Sequence, residues 1–163
     1  MKVRSDFVTN SSSSSFICAF KDREDLNTQL DNLSSINGEY ANIIRKDIKD
    51  KSHHLNKKKV LHLLREAYQV STEMELFWGD NYHNWSQRLQ EEGLKSWEVE
   101  KLPEYHDLVL ERVEEKMAQA EKKLEEYTVF SEVEYGDDTE FWAQLEHYIM
   151  PSLPFVFEII SHH

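Results

Sequence analysis

The chain has 163 residues, of which 39% are hydrophobic and 12% aromatic, so it is long and apolar enough to fold around a core. Its four glycines and three prolines argue against an all-β domain, and its one cysteine, Cys18, excludes an intramolecular disulfide and favours the reducing cytoplasm. The net charge of −12 disfavours nucleic acid as a partner, and no stretch approaches the ~20 apolar residues of a membrane-spanning helix. We therefore expect one globular domain over residues 1–163, located in the cytoplasm, with neither nucleic-acid nor membrane partners.

Five consecutive serines, Ser11–Ser15, lie in the opening stretch "RSDFVTNSSSSSFICAF". The apolar run Phe16–Phe20 that follows them is typical of a central strand covered on both faces. Burial of that strand would hold the preceding residues in place, so we predict that the serines form an ordered loop leading into it. A flexible arm and a ligand or modification site are the alternatives. A phosphate-binding loop is not expected, because the stretch lacks the glycines and the lysine of such loops.

Helical signals then follow one another through the middle of the chain. Asp22 or Asp25 is placed to cap a first helix, which the Asn37-Gly38 pair is expected to end. Two more amphipathic helices are predicted after it. Thr72 begins a capping-box pattern, which predicts that a separate short turn starts there.

The strongest helical periodicity runs from Pro103 to Tyr127. Apolar residues recur there at intervals of three and four: Leu110, Val113, Met117, Ala120, Leu124 and Tyr127. The apolar seam lasts under three heptads, which favours a long packed helix over a coiled-coil dimer. We predict that this helix is the spine of the fold and that it buries Leu110, Val113, Met117 and Leu124.

The last part of the chain predicts a strand, a helix and another strand. In "TVFSEVEY" the residues Val129, Val133 and Tyr135 follow period two, as in a half-exposed strand. Thr139 is placed to cap the helix, whose apolar stripe includes Tyr148, and "FVFEII" predicts the final strand. A connection this short normally joins parallel strands. We therefore predict a predominantly helical α+β fold, with a small mixed three-stranded sheet built from the two chain ends and a helical middle.

The opening "RSDFVTNSSSSSFI" resembles the start of a loose set of uncharacterised small bacterial proteins, mainly Gram-positive, that carry such a serine run. The likeness covers about the first 17 residues, and the closing "EYGDD…LEHYI…ISHH" is similar to the way those proteins end. The helical middle, about two thirds of the chain, shows no such likeness. The resemblance implies that the two ends belong together, and it implies no activity.

A polar cluster at one edge of the sheet is the candidate site that the sequence suggests. If the second and third strands run in the same direction, Asp137 and Asp138 reach the same edge as His162. An antiparallel pairing of the first strand with the third, which we favour, would bring the serines there too. The candidate polar site is Ser11, Ser12, Ser13, Ser14, Ser15, Asp137, Asp138 and His162.

The same region contains side chains of the types that hold divalent metal ions: Asp137, Asp138, His147, His162 and His163. The HExxH, CxxC and EF-hand spacings are absent from the sequence, and "GDD" is commonly just a turn. We therefore expect no metal and no cofactor, and no catalytic residue is assigned.

Three classes of function remain open from the sequence. A non-catalytic soluble binding or protein-interaction module, with an unknown protein or small-molecule partner, is favoured because no catalytic constellation can be assembled from motifs. An enzyme with a polar or metal-assisted site at the sheet edge, formed by the serine run, the GDD acids and the C-terminal histidines, is the alternative. A further alternative is an acidic regulator of nucleic-acid-binding proteins, although a basic stretch at residues 45–65 dilutes the acidic charge.

Overall fold

The computed structural model describes residues 13–78 and 82–162. The chain divides into two compact units, one formed by Met1–Asn56 with Tyr127–His163 and the other by Lys57–Glu126. The first unit contains a small sheet with helices, and the described part of the second is helical. The two chain ends therefore belong to the same unit, while the expectation of one domain over residues 1–163 stays a prediction.

Three strands form the sheet: β1 (Ser13–Phe20), β2 (Val129–Gly136) and β3 (Val156–His162). The strand order is β2-β1-β3, and both neighbouring pairs are antiparallel. The predicted α+β class, with a small sheet from the chain ends and a helical middle, is confirmed. β2 and β3 run in the same direction, as predicted, but β1 lies between them. The sheet is therefore antiparallel throughout rather than mixed.

β1 is the central strand because its side chains are apolar on both faces. Phe16, Cys18 and Phe20 are fully buried on one face, and Ile17 and Ala19 are buried on the other. Successive residues of a strand point to opposite faces, so an unbroken apolar run requires cover on both sides. The core on the Phe16 face is completed by residues of the neighbouring elements: Leu26, Leu30, Leu33, Ala41, Ile44, Ile48, Val133, Tyr135, Leu145, Met150, Leu153 and Phe155.

The helices of the first unit are α1 (Arg23–Asp31), α2 (Gly38–Lys51) and α6 (Glu140–Gln144). Asp22 caps α1 and Thr139 caps α6, both as the sequence predicts. The prediction that Asn37-Gly38 ends the first helix is wrong. Asn37 instead caps α2, where its side-chain oxygen accepts a hydrogen bond from the backbone N–H of Glu39. Asparagine is favourable at both ends of a helix, so the residue type alone does not distinguish them.

The helices of the second unit are α3 (Lys57–Trp78), α4 (Tyr82–Glu91) and α5 (Pro103–Leu124), with a 3₁₀ turn at Ser96–Lys101. α3 packs on α5, where Arg65 forms an ion pair with Glu114 and the Tyr105 hydroxyl donates to the backbone carbonyl of Glu73 at 3.0 Å. The predicted separate turn at Thr72 is wrong, because Thr72 lies within α3 and is 1% exposed. Capping-box spacing does not indicate a new helix start where the apolar stripe of a helix continues through it without a glycine or proline.

α5 is the long helix that the apolar periodicity predicts, although it ends before the predicted last residue. Val113, Met117 and Leu124 are buried as predicted. The prediction for Leu110 is wrong, because this side chain is 46% exposed and Val109 is buried beside it. When two adjacent residues of a helix are apolar, helical periodicity allows either one to face the core, and packing decides which of them is buried.

After α6 the chain continues as a π-helical turn at Leu145–Ile149 and a 3₁₀ turn at Met150–Ser152. The wider π turn changes the angular spacing of the side chains relative to an α-helix. Leu145 and Met150 are fully buried. The prediction that Tyr148 lies on the apolar stripe is wrong, because this side chain is 68% exposed.

Candidate functional site

The serine end of β1 and the last residues of β2 and β3 lie together at one end of the sheet. Ser13 is opposite both Gly136 of β2 and His162 of β3, whose side chain is outside the described structure. Asp138 is two residues after Gly136. The Cα–Cα distance across the strand pair and two steps along the chain therefore place the Cα atoms of Ser13 and Asp138 at most about 13 Å apart. The favoured antiparallel pairing of β1 with β3 is thus confirmed.

Some of the predicted site residues lie outside the described part of the chain, namely Ser11, Ser12 and His163. The two acids of the predicted site lie on the loop after β2, where Asp137 is half-buried and Asp138 is exposed. Which residues form the polar site therefore stays a prediction, although the described residues of the predicted site lie at the same end of the sheet.

The described serines belong to the strand itself and do not form one cluster. Ser13, Ser14 and Ser15 are the first residues of β1, so the predicted loop is here part of the strand. Ser14 points to the face of Phe16, and its two neighbours point to the opposite face. The Ser13 hydroxyl donates to Oε1 of Glu134 at 2.9 Å in an exposed position, whereas Ser15 is 3% exposed.

A buried hydrogen bond connects Ser14 to the π-helical turn. The Ser14 hydroxyl donates to Oε1 of Glu146 at 2.7 Å. Ser14 is 6% exposed and Glu146 is 2% exposed, so both groups are removed from water. A carboxylate is costly to bury without hydrogen-bond donors, and the serine supplies one. This bond therefore anchors the π-helical turn to β1.

The second oxygen of the Glu146 carboxylate, Oε2, is buried and has no hydrogen-bond partner within the described structure. Nε2 of the half-exposed His147 lies 3.8 Å from Oε2, which is beyond hydrogen-bond distance. The Ser14 hydroxyl donates to the carboxylate and not to the imidazole. The three residues therefore lack the serine–histidine hydrogen bond that activates a hydroxyl nucleophile.

Two titratable side chains on the Phe16 face have raised pKa values. Burial raises the pKa of the Cys18 thiol far above its ordinary value of 9.0. Burial also raises the pKa of Tyr135 above its ordinary value of 10.0, and the Asp47 carboxylate, which accepts a hydrogen bond from the tyrosine hydroxyl at 3.1 Å, raises it further. Both groups are protonated near neutral pH, so Cys18 does not provide a reactive thiolate.

The outer side of β3 is a second candidate surface. β3 pairs with β1 on one side, and within the described residues no other strand pairs with its opposite side. The other edge of the sheet is partly covered, because Leu55 forms an antiparallel bridge with Phe130 of β2. Ile159 on β3 is 39% exposed, and the strand contains neither lysine nor proline, the residues that commonly block an open edge. β3 therefore presents a template for pairing with another strand.

Glu146 is the site residue that sequence reasoning missed. It stands four residues after Trp142 and directly after Leu145, so helical spacing already places it beside the apolar stripe. A charged residue at such a position signals a carboxylate that is buried with a partner. The open edge at β3 has no comparable signal in the sequence, because strand order alone decides which strands lie at the edges.

Comparisons of the chain with protein-family models, with curated proteins and with solved structures find no match. Among the described residues, no group of three or more His, Cys, Asp or Glu side chains is arranged to hold a metal ion. Across residues 13–78 and 82–162, no helix is long and apolar enough to cross a membrane. The function is therefore inferred from the geometry of the chain itself.

Proposed function

We propose that this protein is a non-catalytic protein-interaction module that binds an extended segment of a partner protein as an additional strand beside β3. The observation that carries this proposal is the open edge, a seven-residue strand whose outer side has no strand partner in the described chain. In this mode of recognition, main-chain hydrogen bonds supply affinity, and side chains at alternate positions supply specificity.

The surroundings of β3 favour a rigid binding edge. From Glu158 to His162 the strand pairs with β1 without a register shift, so its backbone is regular there. β1 is itself buried on both faces, which holds β3 in place before any partner arrives. A preformed edge loses less conformational entropy on binding than a flexible segment. Ile159 adds an exposed apolar side chain against which a paired strand packs.

The buried polar groups favour binding over catalysis. Ser14 and Glu146 are 6% and 2% exposed, so neither side chain is accessible to a substrate. Cys18 is fully buried, and its raised pKa keeps the thiol protonated. The role that best accounts for the Ser14–Glu146 bond is to fix the π-helical turn against the sheet.

Selection of random seven-residue peptides displayed on phage tests this function. Selected peptides would be synthesised, and their affinities measured by fluorescence anisotropy against the wild-type chain, Ile159→Lys and the control Val70→Lys. Val70 is 58% exposed on α3, a helix of the other unit, so its substitution makes the same change of charge at an exposed aliphatic residue outside β3. We expect Ile159→Lys to weaken binding by about tenfold or more and Val70→Lys to leave it unchanged.

Hydrogen exchange followed by mass spectrometry then locates the bound peptide. We expect slower exchange of the amides of residues 156–162 when a selected peptide is bound, because an added strand takes up the outer backbone groups of β3. Equal binding to both variants, or protection confined to other segments, would refute the assignment of β3. Circular dichroism of each variant establishes that the fold is retained.

A further inference from the structure

We infer that the segment bound along β3 is basic, with lysine or arginine alternating with apolar residues, an inference that rests on the proposed function. The part of the first unit that contains β2 and β3, Tyr127–His163, has no lysine and no arginine. Its acidic residues are Glu132, Glu134, Asp137, Asp138, Glu140, Glu146 and Glu158. Of these acids, Glu158 lies on β3 itself, and Val156–His162 includes no lysine or arginine, so a strand paired with β3 has beside it a carboxylate that attracts cationic side chains.

The strand register places acidic and apolar side chains on different faces of the sheet. Glu132 of β2 and Glu158 of β3 are both opposite Ile17, so these two acids share one face. Glu134, two residues after Glu132, lies on that face as well. Ile159 is adjacent to Glu158 in the strand and points to the opposite face. A strand paired with β3 thus meets the Glu158 carboxylate on one face and an exposed isoleucine on the other, while the acids of β2 lie beyond β1.

This division of the two faces predicts the pattern of the partner segment. Side chains of the added strand alternate between the faces, so every second residue lies on the face of Glu158 and the residues between lie on the face of Ile159. Opposite charges across a strand pair stabilise it, and apolar pairs do the same on the other face. The best partner therefore has period-two alternation of basic and apolar residues.

A second copy of this chain is the main competing occupant of the edge. Pairing β3 with β3 of another copy would bring together two acidic segments, because Tyr127–His163 contains no lysine or arginine to offset its carboxylates. Like charges placed opposite each other destabilise a strand pair. Charge complementarity therefore favours a basic segment over self-association.

Three acetylated and amidated seven-residue peptides test the inference on the full-length chain. In the first peptide lysine alternates with valine, in the second glutamate replaces lysine, and in the third a central proline interrupts the first sequence. We expect the glutamate peptide to bind about twofold more weakly, since β3 offers one carboxylate, Glu158, and one such charge pair contributes about twofold. The proline peptide should not bind, because proline removes a backbone donor. The preference for lysine should shrink between about 50 mM and 500 mM salt.

Two neutralising variants connect this preference to β3. Glu158→Gln should reduce the discrimination between the lysine and glutamate peptides by about twofold, because it removes one carboxylate from the binding edge. Glu115→Gln makes the same substitution at an exposed position on α5 and should leave the discrimination unchanged. Thermal unfolding of both variants, followed by circular dichroism, establishes that they are folded.

The outcomes separate failure of this inference from failure of the proposed function. Equal protection of residues 156–162 by the lysine and glutamate peptides would overturn the basic preference and leave strand addition standing. A dimer of the free chain with protected β3 amides, together with no peptide binding, would identify a second copy as the occupant and overturn the inference. A monomeric chain that no alternating peptide and no library peptide protects at β3 would overturn both.

Discussion

Replacing Ser14 with alanine removes the donor of the buried hydrogen bond to Glu146. The bond is 2.7 Å long, and its two side chains are 6% and 2% exposed, so water does not readily replace the lost hydroxyl. Since Oε2 of Glu146 already has no hydrogen-bond partner in the described structure, the substitution leaves the whole carboxylate without a donor. A hydrogen bond to a charged group contributes ~1.5–3 kcal/mol, and we expect Ser14→Ala to lower the free energy of unfolding by about that amount.

Ser13→Ala is the matched control for this prediction. The Ser13 hydroxyl makes the same kind of bond, at 2.9 Å to Glu134, but in an exposed position where water can replace it. We expect this variant to change the free energy of unfolding by less than about 0.5 kcal/mol. Urea unfolding followed by circular dichroism measures both values, and the slope of the transition shows whether the denatured state has changed.

A double-mutant cycle isolates the interaction between the two side chains. Glu146→Gln keeps an oxygen that accepts from Ser14 and removes the charge, so Ser14→Ala should cost less in the Glu146→Gln background than in the wild type. A coupling of about 1 kcal/mol is expected for two groups in direct contact. If Ser14→Ala costs no more than Ser13→Ala, or if the cycle shows no coupling, the buried bond does not anchor the π-helical turn.

Leu124→Ala should lower the free energy of unfolding by about 2–5 kcal/mol in urea, because Leu124 is 0% exposed, whereas Leu110→Ala at a 46% exposed position should lower it by less than about 1 kcal/mol. Burial raises the pKa of Cys18 above its ordinary value of 9.0, so the unfolded chain loses the thiol proton first as pH rises. Below pH 9 this pKa difference makes its full contribution to the free energy of unfolding, and above pH 9 the contribution falls by about 1.4 kcal/mol per pH unit. Cys18→Ala should remove this part of the measured pH dependence. Gly93→Ala should cost about 1–2 kcal/mol in thermal unfolding, because Gly93 has a φ of 68°. Gly38→Ala should instead be neutral or stabilise by up to about 1 kcal/mol, since a Cβ there meets no atom within 4 Å.

The amino-acid sequence by itself indicates where the strands and the long α5 helix lie, because hydrophobic periodicity is a local signal. The unbroken apolar run Phe16–Phe20 requires a strand covered on both faces, and the structure places it at the centre of the sheet. The period-two pattern of β2 and the three-four spacing of α5 likewise follow from neighbouring residues alone. The antiparallel pairing of β1 with β3 agrees with the favoured prediction, but no local signal in the sequence sets the direction of this pair.

Only the tertiary structure decided which of several locally equivalent arrangements is used. On α5 both Val109 and Leu110 are suitable for burial, and packing buries the first and leaves the second exposed. Glu146 lies beside an apolar stripe in the sequence, but only the pairing of distant segments brings Ser14 within 2.7 Å of it. The open edge of β3 likewise arises from the strand order β2-β1-β3. Hydrophobic periodicity specifies which face of an element is buried, whereas the partner that covers this face depends on contacts between residues far apart in the chain.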